Sequence, residues 1–267
     1  MADGATTDGT AEYLAELKAA GKIDYFVSEP DFAEGHALNK LFLAARGDII
    51  KIIYDDDAYY FPAIEACRNF MLEHPEIDLL GTEGGSFKHK TPNQQIIRLG
   101  AGYEANYRKW KADHTPFEFA VLGIMFRRSS LHILGFWSVS FKNADAEYTF
   151  RATAGPANLA WCLNPTFVFI RTKEGVTMNN VKRMREETLR LRKFYLDEDG
   201  PSTLLSAIKG PLRVLRETVR ARTDKVQKKT SASADIHDGS WSQLYQEAEQ
   251  WLIEKNRGKK FEFLSAH

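Results

Sequence analysis

Apolar positions along the first half of the chain fall into short runs whose spacing alternates between helix and strand. Residues 10–20 place Leu14 and Leu17 on one helical face and stop at Gly21, and residues 23–27 read as a short strand. Residues 32–45 form a second helical pattern closed by Gly47. The run 49–54, Ile-Ile-Lys-Ile-Ile-Tyr, is β-branched and apolar enough for a buried strand. Pro62 then opens a helix through Ala63, Ala66, Phe70 and Met71, with a strand at 77–80. Such alternation predicts an α/β domain with a mostly parallel sheet flanked by helices. Ligands of such sheets gather beyond the carboxyl ends of the strands.

Beyond Gly81 the pattern loosens. Gly84, Gly85, His89, Lys90 and Pro92 predict a long loop or β-excursion, followed by a short helix over 103–112. Strands are expected at 117–126, 159–162 and 166–170, and helices at 129–134 and 145–153. After Asn180 the chain turns helical and charged, with a linker at 235–240 and a last helix over 241–255. The expected organisation is an α/β domain over 1–178 and a helical C-terminal extension over 179–267. Within the extension, residues 204–229 are basic, with Leu204, Ile208, Leu212, Leu215 and Val219 at helical spacing. A helix of this type either lies on an anionic membrane surface or packs on its own domain. Its lack of Trp or Phe anchors favours packing.

Composition narrows the class. Of 267 residues, 43% are hydrophobic and 12% aromatic, enough for a packed core. Basic and acidic residues both number 36, so the overall charge balance does not point to nucleic acid. Cys67 and Cys162 stand far apart in apolar settings and read as core residues of a reducing compartment. No apolar run approaches the roughly 18 residues of a membrane span, and the N-terminus has no signal-peptide pattern. A soluble cytoplasmic protein is expected.

The chemistry is concentrated where the 49–54 run meets Asp55, Asp56 and Asp57. Three adjacent anions at a strand end repel one another unless a cation balances them. Mg²⁺ and Mn²⁺ choose carboxylate oxygens and keep positions open for substrate phosphates. On an extended backbone Asp55 and Asp57 share a face and Asp56 points away, making a metal-diphosphate site. Three acids alone read equally well as a solvated acidic loop. A second acidic group, Asp145 and Glu147, precedes Arg151 on one predicted helix. There Asp145 at the cap is placed to act as a general base, although acids at a helix start also simply favour its dipole.

Taken in order, these segments resemble the family 2 glycosyltransferases of GT-A fold. The chain opens with Asp3-Gly4-Ala5-Thr6-Thr7-Asp8-Gly9-Thr10, similar to that family's DDGSTDGT turn. Asn39 followed by residues 44–48 resembles its N…A-x-G-(D/E) segment, and Asp55-Asp56-Asp57 with Pro62 its D-x-D metal motif. Leu134-Gly135-Phe136-Trp137 is similar to its acceptor loop, and residues 145–151 to the (E/D)-D-x₅-R motif that carries the base. Residues 171–177 are similar to the late segment that closes over the diphosphate. The resemblance covers residues 3–178. It implies inverting, metal-assisted sugar transfer from a nucleotide-diphosphate donor to a saccharide or other hydroxyl acceptor. Asp145 is then the base, and Asp55 and Asp57 hold Mg²⁺ or Mn²⁺. Asp3, Asp55, Asp56, Arg171 and Lys173 contact the donor, and Trp137 and Glu147 the acceptor.

The chain departs from the pattern in three places. Ala144 replaces the first acid of the E-D pair. Lys173 stands where many members carry histidine, which suits phosphate contact better than metal ligation. Members of the family also carry a strand, a helix and a second strand before the DDGSTDGT turn, whereas this sequence starts at the turn. An open sheet edge, weak donor binding and self-association are expected from that difference. The competing expectation is a catalytically incomplete remnant or a partner-dependent binding module.

Overall fold

In the computed structural model, which describes residues 1–87, 96–99, 102–170, 180–197 and 239–265, the core is built on the two longest strands. These are β5 (Leu79–Phe87) and β8 (Leu159–Phe169). They pair in parallel from Leu79 opposite Leu159 to Ser86 opposite Phe169. The two strands expected at 159–162 and 166–170 are one. Register shifts around Glu83 accommodate the stretch containing Pro165, which has no N–H to give to a ladder. The close pairing has a steric requirement at Gly81, where a Cβ would come within 2.1 Å of the Trp161 ring.

Five shorter strands complete a seven-stranded sheet. β3 (Ile49–Lys51) pairs with β7 (Met125–Arg127), which pairs with β5, and β4 (Ala58–Tyr59) pairs with β8. β6 (Ile96–Leu99) returns along β5 in the region expected as a β-excursion. Two antiparallel steps through β7 leave β3, β5 and β8 running in the same direction; β4, β6 and β7 run against their neighbours. The expected α/β class is therefore present, with its parallel character carried by the central ladder.

Helices cover both faces. On one side α2 (Glu34–Ala44), α4 (Tyr103–Asp113) and α6 (Ala144–Ala154) contribute to a core of Phe42, Phe126, Trp137, Tyr148 and Trp161. On the other, α3 (Phe61–Glu73) buries Cys67 and Met71 against Leu80, Met125 and Cys162. Both cysteines are buried free thiols. The short α5 (Leu131–Leu134) follows a 3₁₀ turn at Arg128–Ser130. Among the described residues no helix is long and apolar enough to cross a membrane.

Expected as purely helical, the segment after residue 178 also returns a strand to the sheet. α7 (Val181–Leu196) packs on α6 through Leu191. α8 (Gly239–Asn256) lays Leu244, Ala248 and Leu252 over Ala58, Val168 and Ile170. β9 (Phe263–Ser265) then pairs antiparallel with Ala160–Cys162 of β8. The reason is the edge of β8, whose backbone would otherwise be unpaired at its start. The basic run 204–229 lies outside the described residues.

A different construction holds the N-terminus. β1 (Ala2–Asp3) and β2 (Val27–Ser28) pair in parallel across α1 (Thr10–Ala19) as a separate two-stranded sheet. β3 pairs only with β7, so its other edge carries no strand among the described residues. Beside β3 a groove of about 400 Å³ is lined by Ile49, Lys51, Phe61, Ile64 and Met125.

Candidate active site

The end of β3 delivers the acidic residues, though not on an extended backbone. After Lys51 the chain leaves the sheet, and residues 55–57 form a turn leading into β4. Burial rises across the three: Asp55 is exposed, Asp56 half-buried and Asp57 buried. The common face expected for Asp55 and Asp57 rests on strand alternation, and the turn removes it. Three hydrogen bonds hold the turn. Asp57 Oδ1 accepts the Ile170 N–H at 2.8 Å, and the Tyr54 N–H donates to the Tyr59 hydroxyl at 3.0 Å. The Tyr245 hydroxyl on α8 donates to the Asp55 carbonyl at 2.7 Å.

Other carboxylates converge on this turn from distant elements. Glu34, in the first turn of α2, accepts a hydrogen bond from the Tyr54 hydroxyl. Asp145 lies in the first turn of α6 rather than at its cap, which is Asn143. Its Oδ2 accepts the Val121 N–H at 3.1 Å, across from a 3₁₀ turn at Val121–Gly123. Burial pushes the Asp145 carboxyl up to about 8; Glu34, Asp57 and Glu118 add to the shift and the Val121 N–H opposes it. Burial also raises Asp57 to about 7, opposed by the Ile170 N–H and reinforced by Asp56, Asp55 and Glu34. Glu34 and Asp56 shift upward as well, chiefly through burial. Asp145 is repelled by Glu34 and Asp57, and Glu34 by Asp56, so these acids raise one another's proton affinity.

A cation lies beneath the turn. The Lys51 ammonium donates to the Leu122 carbonyl and sits 5.4 Å from the centroid of the Tyr59 ring. Burial drives its pKa down to about 7, against the pull of Cys67 and Asp57. This cluster suits a hard divalent ion, which takes oxygen donors and relieves unbalanced negative charge. Among the described residues no three His, Cys, Asp or Glu side chains come together to enclose a metal on their own. One or two carboxylates completed by substrate phosphate oxygens is the usual Mg²⁺ arrangement, and Asp57 with its neighbours fits that pattern.

The residues expected to contact the acceptor take structural roles. Trp137 is 3% exposed, stacked on Tyr148 at 4.1 Å and set edge-on to Phe42 and Phe126. It is therefore core, and Phe136 beside it is the exposed aromatic of that loop. Glu147 is buried and ion-paired with Arg151 at 2.8 Å. Arg151 also donates to the carbonyls of Leu134 and Phe136, locking the loop around Gly135. Gly135 has φ +73°, and a Cβ there would meet the Arg151 Nη1 at 2.8 Å. Asn39 clamps the same loop with two bonds to the Trp137 backbone, at 2.8 and 2.9 Å.

Asp3, expected at the donor, spends its carboxylate on the turn that follows it. It accepts from Ser28 Oγ at 2.6 Å, Thr6 Oγ1 at 2.8 Å and the Thr6 N–H at 3.2 Å. These bonds, Ser28 first, hold its pKa below the ordinary value. Arg171 and Lys173 lie outside the described residues. Glu34, Lys51, Tyr54 and Tyr245 were not predicted for the site. Tyr245 is 190 positions from Asp55, and no local spacing signals that contact.

A mixed α/β sheet flanked by helices on both faces is the architecture of the GT-A glycosyltransferases. Residues 1–134 match the glycosyl transferase family 2, and the chain belongs to that family. Among solved structures it is similar to the Pyrobaculum calidifontis mannosyltransferase PcManGT, in complex with GDP-Man and Mn²⁺. The identity is 16% and the TM-score 0.52, covering 94% of this chain and 74% of that one. It also matches S. aureus TarS 1–349 in complex with UDP-GlcNAc, at 15% identity and a TM-score of 0.47 over 73% of this chain. The chain spans 55% of that TarS fragment. No curated protein matches it in sequence.

Proposed function

We propose that the chain transfers a sugar from a nucleotide-diphosphate donor to an acceptor hydroxyl, with inversion at the anomeric carbon. The observation that carries this reading is the match of residues 1–134 to glycosyl transferase family 2, with Asp145 and Asp57, from two elements far apart in sequence, near enough to repel each other. Asp145 is the base. Its Oδ2 is held by the Val121 N–H, which orients the carboxylate and leaves Oδ1 to accept the hydroxyl proton. A carboxyl raised to about 8 is a stronger base than an ordinary aspartate and acts once it has lost its own proton, so transfer should rise with pH through that value. Asp57, with Asp55, would hold Mg²⁺ or Mn²⁺, which when bound supplies charge neutralisation for the departing diphosphate. Tyr245 and the Ile170 N–H keep that turn in place. Gly135 and Phe136 border the acceptor side, and Asp3 shapes the turn on the donor side. PcManGT, solved with GDP-Man and Mn²⁺, supports the choice of donor class and metal.

A second reading rests on the edge of β3, which carries no strand among the described residues, and on the separate two-stranded β1–β2 sheet: a binding module that needs a partner strand for activity. Calorimetry with UDP- and GDP-sugars, with and without Mn²⁺, separates the two, followed by NMR of the product anomer. Metal-dependent donor binding and an inverted product support transfer. Absence of binding to every donor sinks it for this chain and favours the module.

A further inference from the structure

Helix α7 has two contrasting faces. Inward, Leu191 joins Ala146 and Phe150, and the Tyr195 ring stacks on Phe150 at 5.6 Å with the planes 4° apart. Glu187 accepts the backbone N–H groups of Lys142 and Asn143, each at 2.8 Å, where α6 begins. Outward, Lys182, Arg185, Leu189 and Lys193 follow one another at three- and four-residue spacing, all exposed, with Glu186 the acid among them. Arg190 and Phe194 flank this line, and Phe194 is 79% exposed. Leu189 and Val181 are each 56% exposed.

The helix holds six cations against two acids, and one of those acids, Glu187, is ion-paired inward with Arg183. In a chain of zero net charge this is a marked local excess. Cations alone would suit a nucleic acid. Interleaved Leu189 and a nearly bare Phe194 gain nothing from a phosphate backbone, but they do gain from entering an apolar layer. No helix among the described residues is long and apolar enough to cross a bilayer.

We propose that the outer face of α7 docks on an anionic lipid bilayer. Phe194 and Leu189 enter the headgroup boundary, and Lys182, Arg185 and Arg190 lie against lipid phosphates. Because α7 is fastened to the start of α6, docking holds the Asp145 helix at a set height above the surface. The binding itself does not depend on sugar transfer.

The test is flotation of the full chain with phosphatidylcholine vesicles, with and without phosphatidylglycerol. Wild type floats only with the anionic vesicles and is released by high salt. Lys182→Ala/Arg185→Ala/Arg190→Ala lowers partitioning about fivefold per cation and about a hundredfold in all. Leu189→Ala/Phe194→Ala lowers it several-fold, without changing the thermal midpoint, since both side chains are exposed. Failure of wild type to bind anionic vesicles overturns the proposal. So does binding unchanged in the cation variant, which would place lipid affinity elsewhere in the chain. Loss in the cation variant alone overturns the inserted apolar face. Retention by RNA without vesicle binding overturns it in favour of a nucleic-acid surface.

Discussion

At the Asp57 turn, four distant parts of the chain meet: α2 brings Glu34, the β3–β4 turn its acids, α6 Asp145 and α8 Tyr245. At the N-terminal end, by contrast, two strands of two residues each pair across α1, and the turn between β1 and α1 is tied by its own acids. Asp3 there binds Ser28 and Thr6, and Asp8 binds Thr10. The first region is assembled by tertiary packing, which buries charges and raises their proton affinity. The second spans only the first 28 residues, and there hydrogen bonds to Asp3 lower it. Burial that outweighs the available counter-charge marks a region built for chemistry; a satisfied carboxylate marks one built for shape.

Substitutions should respect that contrast. The largest effect is expected at Asp145. Asp145→Asn keeps an oxygen for the Val121 N–H, so donor binding stays near normal while transfer falls at least about a hundredfold. Turnover retained in any working acceptor assay would remove Asp145 from the mechanism. Asp57→Asn likewise keeps the bond from Ile170 but loses the anion. Calorimetry should show Mn²⁺-dependent donor binding lost with no drop in thermal midpoint, because a buried carboxylate has become a neutral amide. Asp56→Ala, at a half-buried position, should be milder.

Smaller effects follow where packing alone is touched. Burial opposes it, but the Asn143 N–H, Arg183 and the Lys142 N–H together hold the Glu187 carboxyl below its ordinary value of 4.5. A lowered folded-state pKa gives stability present above the unfolded value and lost as pH falls through the folded one. Acid thermal melts of Glu187→Gln should therefore be flatter below about pH 5 than those of wild type. Tyr245→Phe removes a single bond to the Asp55 carbonyl and should raise donor KM about fivefold, with the fold intact. Ser28→Ala, in the N-terminal region, should shift stability by about 1 kcal/mol or less by denaturant titration. A large loss there would show that the small sheet is coupled to the core after all.

Periodicity along the chain was enough to place most elements, because amphipathic spacing is a local property. α2, α3, α4 and α6 begin and end within two residues of where the spacing puts them. Asp55, Asp56, Asp57 and Asp145 were legible for the same reason, since their neighbours along the chain carry the motif, whereas Glu34 was not. Their geometry was not. An apolar run bounded by three aspartates reads as strand to the end, yet the backbone turns because Ile170, Tyr59 and Tyr245 bond it into a turn. Trp137 and Glu147 belong to motifs that suggest an open site, but Tyr148 and Arg151 bury and pair them. Glu34 near Asp56, α8 over β4 and β9 on the edge of β8 depend on contacts between remote segments. Local pattern alone therefore determined which groups exist and on which elements they ride. Which of them face one another, and with what proton affinity, was decided by burial and by backbone groups seeking partners, which only the folded chain supplies.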